Sequence, residues 1–409
     1  MDQLILPLPP DRDLDIPHLV TTLGNTTQCY KFVWFLGILR VLNRHLAAIS
    51  EPGALTLTYP EILSEVLRAV RPLILEFKLS LGLNDCLTAL VLRLEELAPE
   101  KKGRGSLAQD DLLSTLTWLH ETDKVVRDNV KAFVKYVPHR FLSPWIGTSD
   151  KDRIRAFAPG FDDGRPYRLS QSSAGQLMVE VNPDWLYYLS HNFSILEGYC
   201  LGLMGTFLEK RNPLVPNILS KLQWDGKKRH SLKTQQRWFA AYLRDHTYTC
   251  IYSGQPLTSN DQYALDHFIP WSFTGSDETW NLLPIAPSLN SQKSNYLPPL
   301  NNGQIAALAH FEMAVLRHNC ALPPAERKLI CRESLLDDFR MLFKEQEIKN
   351  ILALPEGRIL KTFDDTLRTW HTVALNQGFL PWQYAEESDR SPAVAVKMAK
   401  PIPRLSQGS

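Results

Sequence analysis

Apolar residues recur mainly at helical spacing along this chain. Phe32, Phe35, Leu36, Leu39 and Leu42 repeat every three or four positions, which predicts a helix from Gln28 to Ser50. A second such stretch runs from Tyr59 to Leu79, and a third follows Asn84-Asp85, a pair suited to capping a helix start, and ends near Leu97. Pro99 to Ser106 is a polar, Gly-containing break, after which helices are predicted over 110–120 and 122–136. These stretches read as one helical domain, 21–138, for recognition or partner binding. A Pro- and Asp-rich extended arm, 1–20, precedes it. The aromatic stripe Tyr30, Phe32, Trp34 and Phe35 reads as core.

Beyond this domain the period is lost. Pro138 to Asp163 mixes Pro, Trp, Gly and charges, and Tyr167–Ser170 and Leu177–Val181 predict two short strands around a Gln-Ser-Ser-Ala-Gly turn. Trp185 to Lys210 is helical again, which makes 139–210 a mixed connector. After residue 300, helices are expected over 302–319, 324–346 and 356–376, as a helical C-terminal region, 301–387. The tail 388–409 is polar, basic and Pro-containing, and is predicted to be disordered. The expected class is mainly α with a small α+β insert. No internal repeat is evident.

Composition narrows the partners. A length of 409 residues suits two or three domains, and 44% apolar with 22% charged residues is ordinary for a soluble protein. The 45 basic and 44 acidic residues leave a net charge of +1, so any nucleic-acid footprint must be a local patch. One such patch exists. Residues 210–249 hold nine Lys/Arg (Lys210, Arg211, Lys221, Lys227, Lys228, Arg229, Lys233, Arg237, Arg244) against Asp225 and Asp245. The plainer explanation is a solvated helix face. The six cysteines are scattered without a C-x-x-C pair, which argues against a disulfide scaffold and suits a cytoplasmic protein. No signal peptide is read at the N-terminus. The most apolar stretch, Phe32–Leu42, is interrupted by Arg40 and falls short of the roughly 20 apolar residues of a spanning helix, so no membrane partner is expected.

The chemistry concentrates in 250–298. A strand-like run ends in Asp266-His267, a loop follows, and a polar stretch that can open a helix begins at Asn290. Neighbouring side chains at a strand end point to opposite faces, so one can hold a metal while the other addresses a water. A carboxamide further along can return from the helix to complete the metal site. Mg²⁺ takes hard oxygen ligands and keeps several waters, so one carboxylate and one amide oxygen suffice. An imidazole with an unperturbed pKa of about 6.5 can deprotonate the attacking water at neutral pH. Other readings stay open: a plain hydrogen-bonded Asp-His pair, Asn290 as a helix cap, and Lys293 as a solvated surface residue.

The segment Asp266-His267-x-x-Pro270, then Asn281, then Asn290-x-x-Lys293-Ser294-Asn295 resembles the HNH motif. It is similar to the HNH domains of RNA-guided CRISPR effector nucleases and to stand-alone bacterial HNH proteins. The resemblance implies a ββα-metal module within 211–300, embedded between helical regions, that cuts DNA, expected to be double-stranded, with Mg²⁺ or Mn²⁺. It implies His267 as general base and Asp266 and Asn290 as metal ligands. It gives Asn281 the support of the loop beneath the histidine. Lys293 and Asn295 match positions that contact or steady the substrate backbone, and Lys227, Lys228 and Arg229 of the approach segment are further backbone candidates. Many relatives frame the motif with two Cys-x-x-Cys zinc pairs. Here those positions are Cys250, Ser253, Ala286 and Leu289, so no structural zinc is expected, and Tyr252, Leu265, Leu282, Leu283 and Leu289 are expected to pack in its place. Stand-alone relatives suggest anti-phage defence or restriction, with possible protein partners. The alternatives are a subunit active only in an RNA-guided or helicase-containing complex, and a catalytically silent DNA-binding protein.

Overall fold

The computed structural model describes residues 8–48, 55–82, 85–97, 109–148, 150, 152, 154, 161–173, 176–224 and 231–383. Helices dominate it, with three small antiparallel sheets. The predicted N-terminal helices are present as Tyr30–Ala48, Tyr59–Leu75, Cys86–Leu97, Gln109–Thr122 and Lys124–Phe141. Local chemistry fixes their starts. Thr58 and Glu61 form a reciprocal capping box at the second. At the third, Asp85 accepts from the backbone of Leu87 and Thr88.

Three stretches depart from the periodicity. Within the expected extended arm, a helix Ile16–Gly24 begins where the Asp15 side chain accepts from the His18 amide and Pro17 occupies the first turn. The single helix expected from Trp185 to Lys210 is two, Pro183–His191 and Phe193–Glu209, broken at Asn192, whose amide bonds back to Tyr188 O. The single helix expected over 324–346 is also two, Pro324–Ile330 and Glu333–Phe343, because Arg332 is extended between them. The disordered tail expected over 388–409 lies outside the described residues.

The predicted hairpin forms from Tyr167–Gln171 and Leu177–Val181, and Thr56–Thr58 joins it on the other edge of Leu177–Val181. Buried apolar residues form one continuous cluster from Leu8 to Trp382. The stripe Phe32, Trp34 and Phe35 lies within it. An aromatic trio joins the N-terminal helices to the later segment: Phe77 and Trp224 have ring centroids 5.3 Å apart, and Trp271 lies 5.7 Å from Phe77 and 5.9 Å from Trp224. Among the described residues, no helix is long and apolar enough to cross a membrane.

Candidate active site

Strands Ala264–His267 and Leu282–Ile285 pair antiparallel, with Asp266 opposite Leu283 and His267 opposite Leu282. The loop between them starts at Phe268 and turns at once. Pro270 precedes a single helical turn, Trp271–Thr274, and Gly275 ends it at φ +70°, in the left-handed region that glycine adopts without steric cost. A Cβ at Gly275 would also meet Lys221 Cε at 3.2 Å. After the second strand comes the short helix Pro287–Lys293. Pro287, with its fixed φ, opens this helix. Asn290 is therefore inside it, not at its start, and the capping reading does not apply.

Asn281 is fully buried and clamps the loop beneath His267. Its Oδ1 accepts from Ile269 N at 2.9 Å, its Nδ2 donates to Ile269 O at 2.9 Å, and its own carbonyl accepts from Phe268 N at 2.7 Å. The backbone just past His267 thus has its polar groups satisfied without continuing the ladder.

Asp266 is 3% exposed and ion-paired with Lys293, which is 0% exposed. Lys293 Nζ lies 3.0 Å from Oδ1 and 3.0 Å from Oδ2 of the carboxylate, and donates to His267 O at 2.7 Å. Tyr252 OH donates to Asp266 Oδ2 at 3.2 Å. Burial pushes the Asp266 carboxyl up and the Lys293 ammonium down, and their mutual attraction opposes both shifts. Lys293 was expected at the substrate backbone or in solvent. It is not in solvent, because its helix turns that face onto the end of the first strand. His267 Nε2 lies 2.9 Å from Asp277 Oδ1, while Nδ1 makes no hydrogen bond to a described residue. The Asn290 side chain is half-buried and likewise has no hydrogen bond to a described residue.

Residues outside the motif hold this loop on three sides. Asn217 Nδ2 donates to Thr274 O and Ser276 Oγ, both at 2.9 Å, and buried Lys221 donates to Phe273 O at 2.6 Å and to Pro216 O. Asp338 accepts from Thr279 N at 2.8 Å and Thr279 Oγ1 at 2.6 Å, and burial pushes its carboxyl up to about 6. Glu76 accepts from Ser272 Oγ at 2.9 Å and Asn295 Nδ2 at 3.2 Å. Asn295, a substrate-backbone candidate, is thus tied to the helix Tyr59–Leu75 through the residue that follows it. The sequence reading missed Asp277, Asn217, Lys221, Asp338 and Glu76. Only Asp277 carried a local signal, as an acid in the loop shortly after His267.

The five residues expected to pack around the module, Tyr252, Leu265, Leu282, Leu283 and Leu289, are all buried, as is Cys250. Tyr252 also supplies the hydroxyl on Asp266. Lys227, Lys228 and Arg229 lie outside the described residues. Among the described residues, no three His, Cys, Asp or Glu side chains converge on a possible metal ion. A site built from one carboxylate and one amide is not of that kind.

Residues 250–299 match the profile of a family described as HNH endonuclease. No curated protein and no solved structure matches the chain. The matched stretch holds Asp266, His267, Asp277, Asn281, Asn290 and Lys293, and none of the residues that brace it from outside.

Proposed function

We propose that the chain is an endonuclease that hydrolyses DNA phosphodiester bonds with a single divalent metal, Mg²⁺ or Mn²⁺. The HNH match over 250–299, with Asp266 and His267 side by side at the end of a strand, carries this reading. The donor set suits such an ion: the Asp266 carboxylate supplies hard oxygens, and the Asn290 amide has no hydrogen bond among the described residues. When bound, the ion would stabilise charge developing on the leaving and non-bridging oxygens.

The chain's own residues do the rest. With Nε2–H donating to Asp277, His267 keeps its lone pair on Nδ1 and takes the proton of the attacking water there. Asp277 is the positioning carboxylate that fixes the ring. Asn281 holds the backbone under His267, and before metal binds Lys293 holds Asp266 and the His267 carbonyl together. Anti-phage defence or restriction in the cytoplasm is the setting proposed, on the likeness to stand-alone bacterial HNH proteins. Incubating the purified full chain with supercoiled plasmid tests the reading. Nicked or linear product is expected with Mg²⁺ or Mn²⁺, and EDTA should abolish it. Plasmid left intact with every metal would remove the free-standing nuclease. The net charge of +1 favours a second reading, in which cutting needs a larger assembly that supplies the DNA affinity.

The basic approach segment is assigned to the DNA backbone. Changing Lys227 and Lys228 to Glu is expected to weaken DNA binding across sequences and to flatten its dependence on salt, by a slope of roughly 0.9 per lost phosphate contact. Fluorescence anisotropy across a salt series measures this. Unchanged binding would take the segment out of the footprint.

A further inference from the structure

The ion pair at the end of the first strand has a consequence for how the site takes up metal. Lys293 Nζ sits 3.0 Å from each oxygen of Asp266, the side chain proposed to hold the ion, and both residues are shut off from solvent. A carboxylate this deep needs a cation beside it, and the ammonium already provides one. The same ammonium has a second anchor, the His267 carbonyl at 2.7 Å. Two cations on one carboxylate in a dry pocket repel strongly, because little solvent screens them.

We infer that Lys293 is the resident counter-ion of Asp266, and that a divalent metal and this ammonium compete for the same carboxylate. The inference rests on the metal-dependent reading above. It follows that the module is charge-satisfied and folded before metal arrives. Lys293 lowers the apparent metal affinity, and becomes available to a phosphate only once the metal has taken its place.

Titrating Mn²⁺ into the full-length wild type, Lys293→Met and Asp266→Asn, by calorimetry and by thermal unfolding, tests it. Wild type should bind Mn²⁺ through Asp266, so Asp266→Asn should lose that binding. Lys293→Met should bind about tenfold more tightly or better, a difference of about 1.4 kcal/mol, and should gain more in melting temperature at saturation. Folding of Lys293→Met only in the presence of Mn²⁺ would support the inference equally. Equal or weaker Mn²⁺ affinity in a folded Lys293→Met would overturn it, with the metal reading intact. Absence of Asp266-dependent binding in wild type would overturn both. If Lys293→Met folds under neither condition, acylation of wild-type lysines decides. Lys293 should be protected without Mn²⁺ and labelled with it, and labelling that ignores saturating Mn²⁺ would overturn the competition.

Discussion

His267→Ala is expected to lower the rate of plasmid cleavage by about 10²–10⁴-fold, the range a positioned general base contributes, while DNA binding is retained. The side chain is 6% exposed, so it offers little surface for duplex contact, and its loss should fall on the chemical step. Its neighbours should hold. The loop behind it is fixed by Asn281, and the strand before it by its pairing with Leu282–Ile285. Asp277→Asn makes a graded companion. An amide at 277 can still meet Nε2, but it no longer stabilises the imidazolium that forms when Nδ1 takes a proton. Its cleavage rate should therefore fall less than that of His267→Ala and more than that of a surface control. Single-turnover cleavage with DNA binding measured in parallel separates the two effects. A His267→Ala protein that cuts like wild type would end the assignment of the base.

This site was partly legible in the sequence because its chemistry is local. Asp266 and His267 announce themselves as an acid and an imidazole at the end of a strand-forming run. Asn281 and Asn290 follow within one hairpin and one helical turn. Lys293 shows the limit. Spacing placed it on the right helix, but which face of that helix is buried depends on the packing against the strand. The residues that brace the loop were out of reach for a different reason. Glu76 meets Ser272 across 196 positions, and Asp338 meets Thr279 across 59, and no periodicity links such pairs. The long helices were legible because one apolar face persists through several turns. Their breaks were not: buried apolar residues lie on both sides of Asn192, where only the backbone turns, and Pro324–Ile330 buries no residue before the extended Arg332 and the buried face of Glu333–Phe343.

Lys221 shows how an ordinary-looking basic residue becomes part of the site, and it makes the second large prediction. It was counted in a basic patch, yet it is 1% exposed, with its amine on Phe273 O and Pro216 O. Burial pushes its pKa down to about 7, against a smaller upward pull from Glu278. The folded state therefore binds fewer protons than the unfolded chain between about 7 and the ordinary lysine value of 10.5, and stability rises with pH across that window. Below it, lysine is charged in both states and the full cost of burying that charge is present. Each unit is worth about 1.36 kcal/mol, so wild type should gain on the order of 2 kcal/mol between roughly pH 7 and 9. A neutral amine still has two N–H groups for its two carbonyls, so deprotonation removes the buried charge and keeps the hydrogen bonds. Urea unfolding at both ends of that range, on wild type and Lys221→Met, measures the gain, which the variant should lack. Parallel pH dependence in the two proteins would show that Lys221 does not titrate in this range. Lys221→Met should also cut plasmid more slowly, because the Phe273 carbonyl it releases lies on the loop that brings Asp277 to His267.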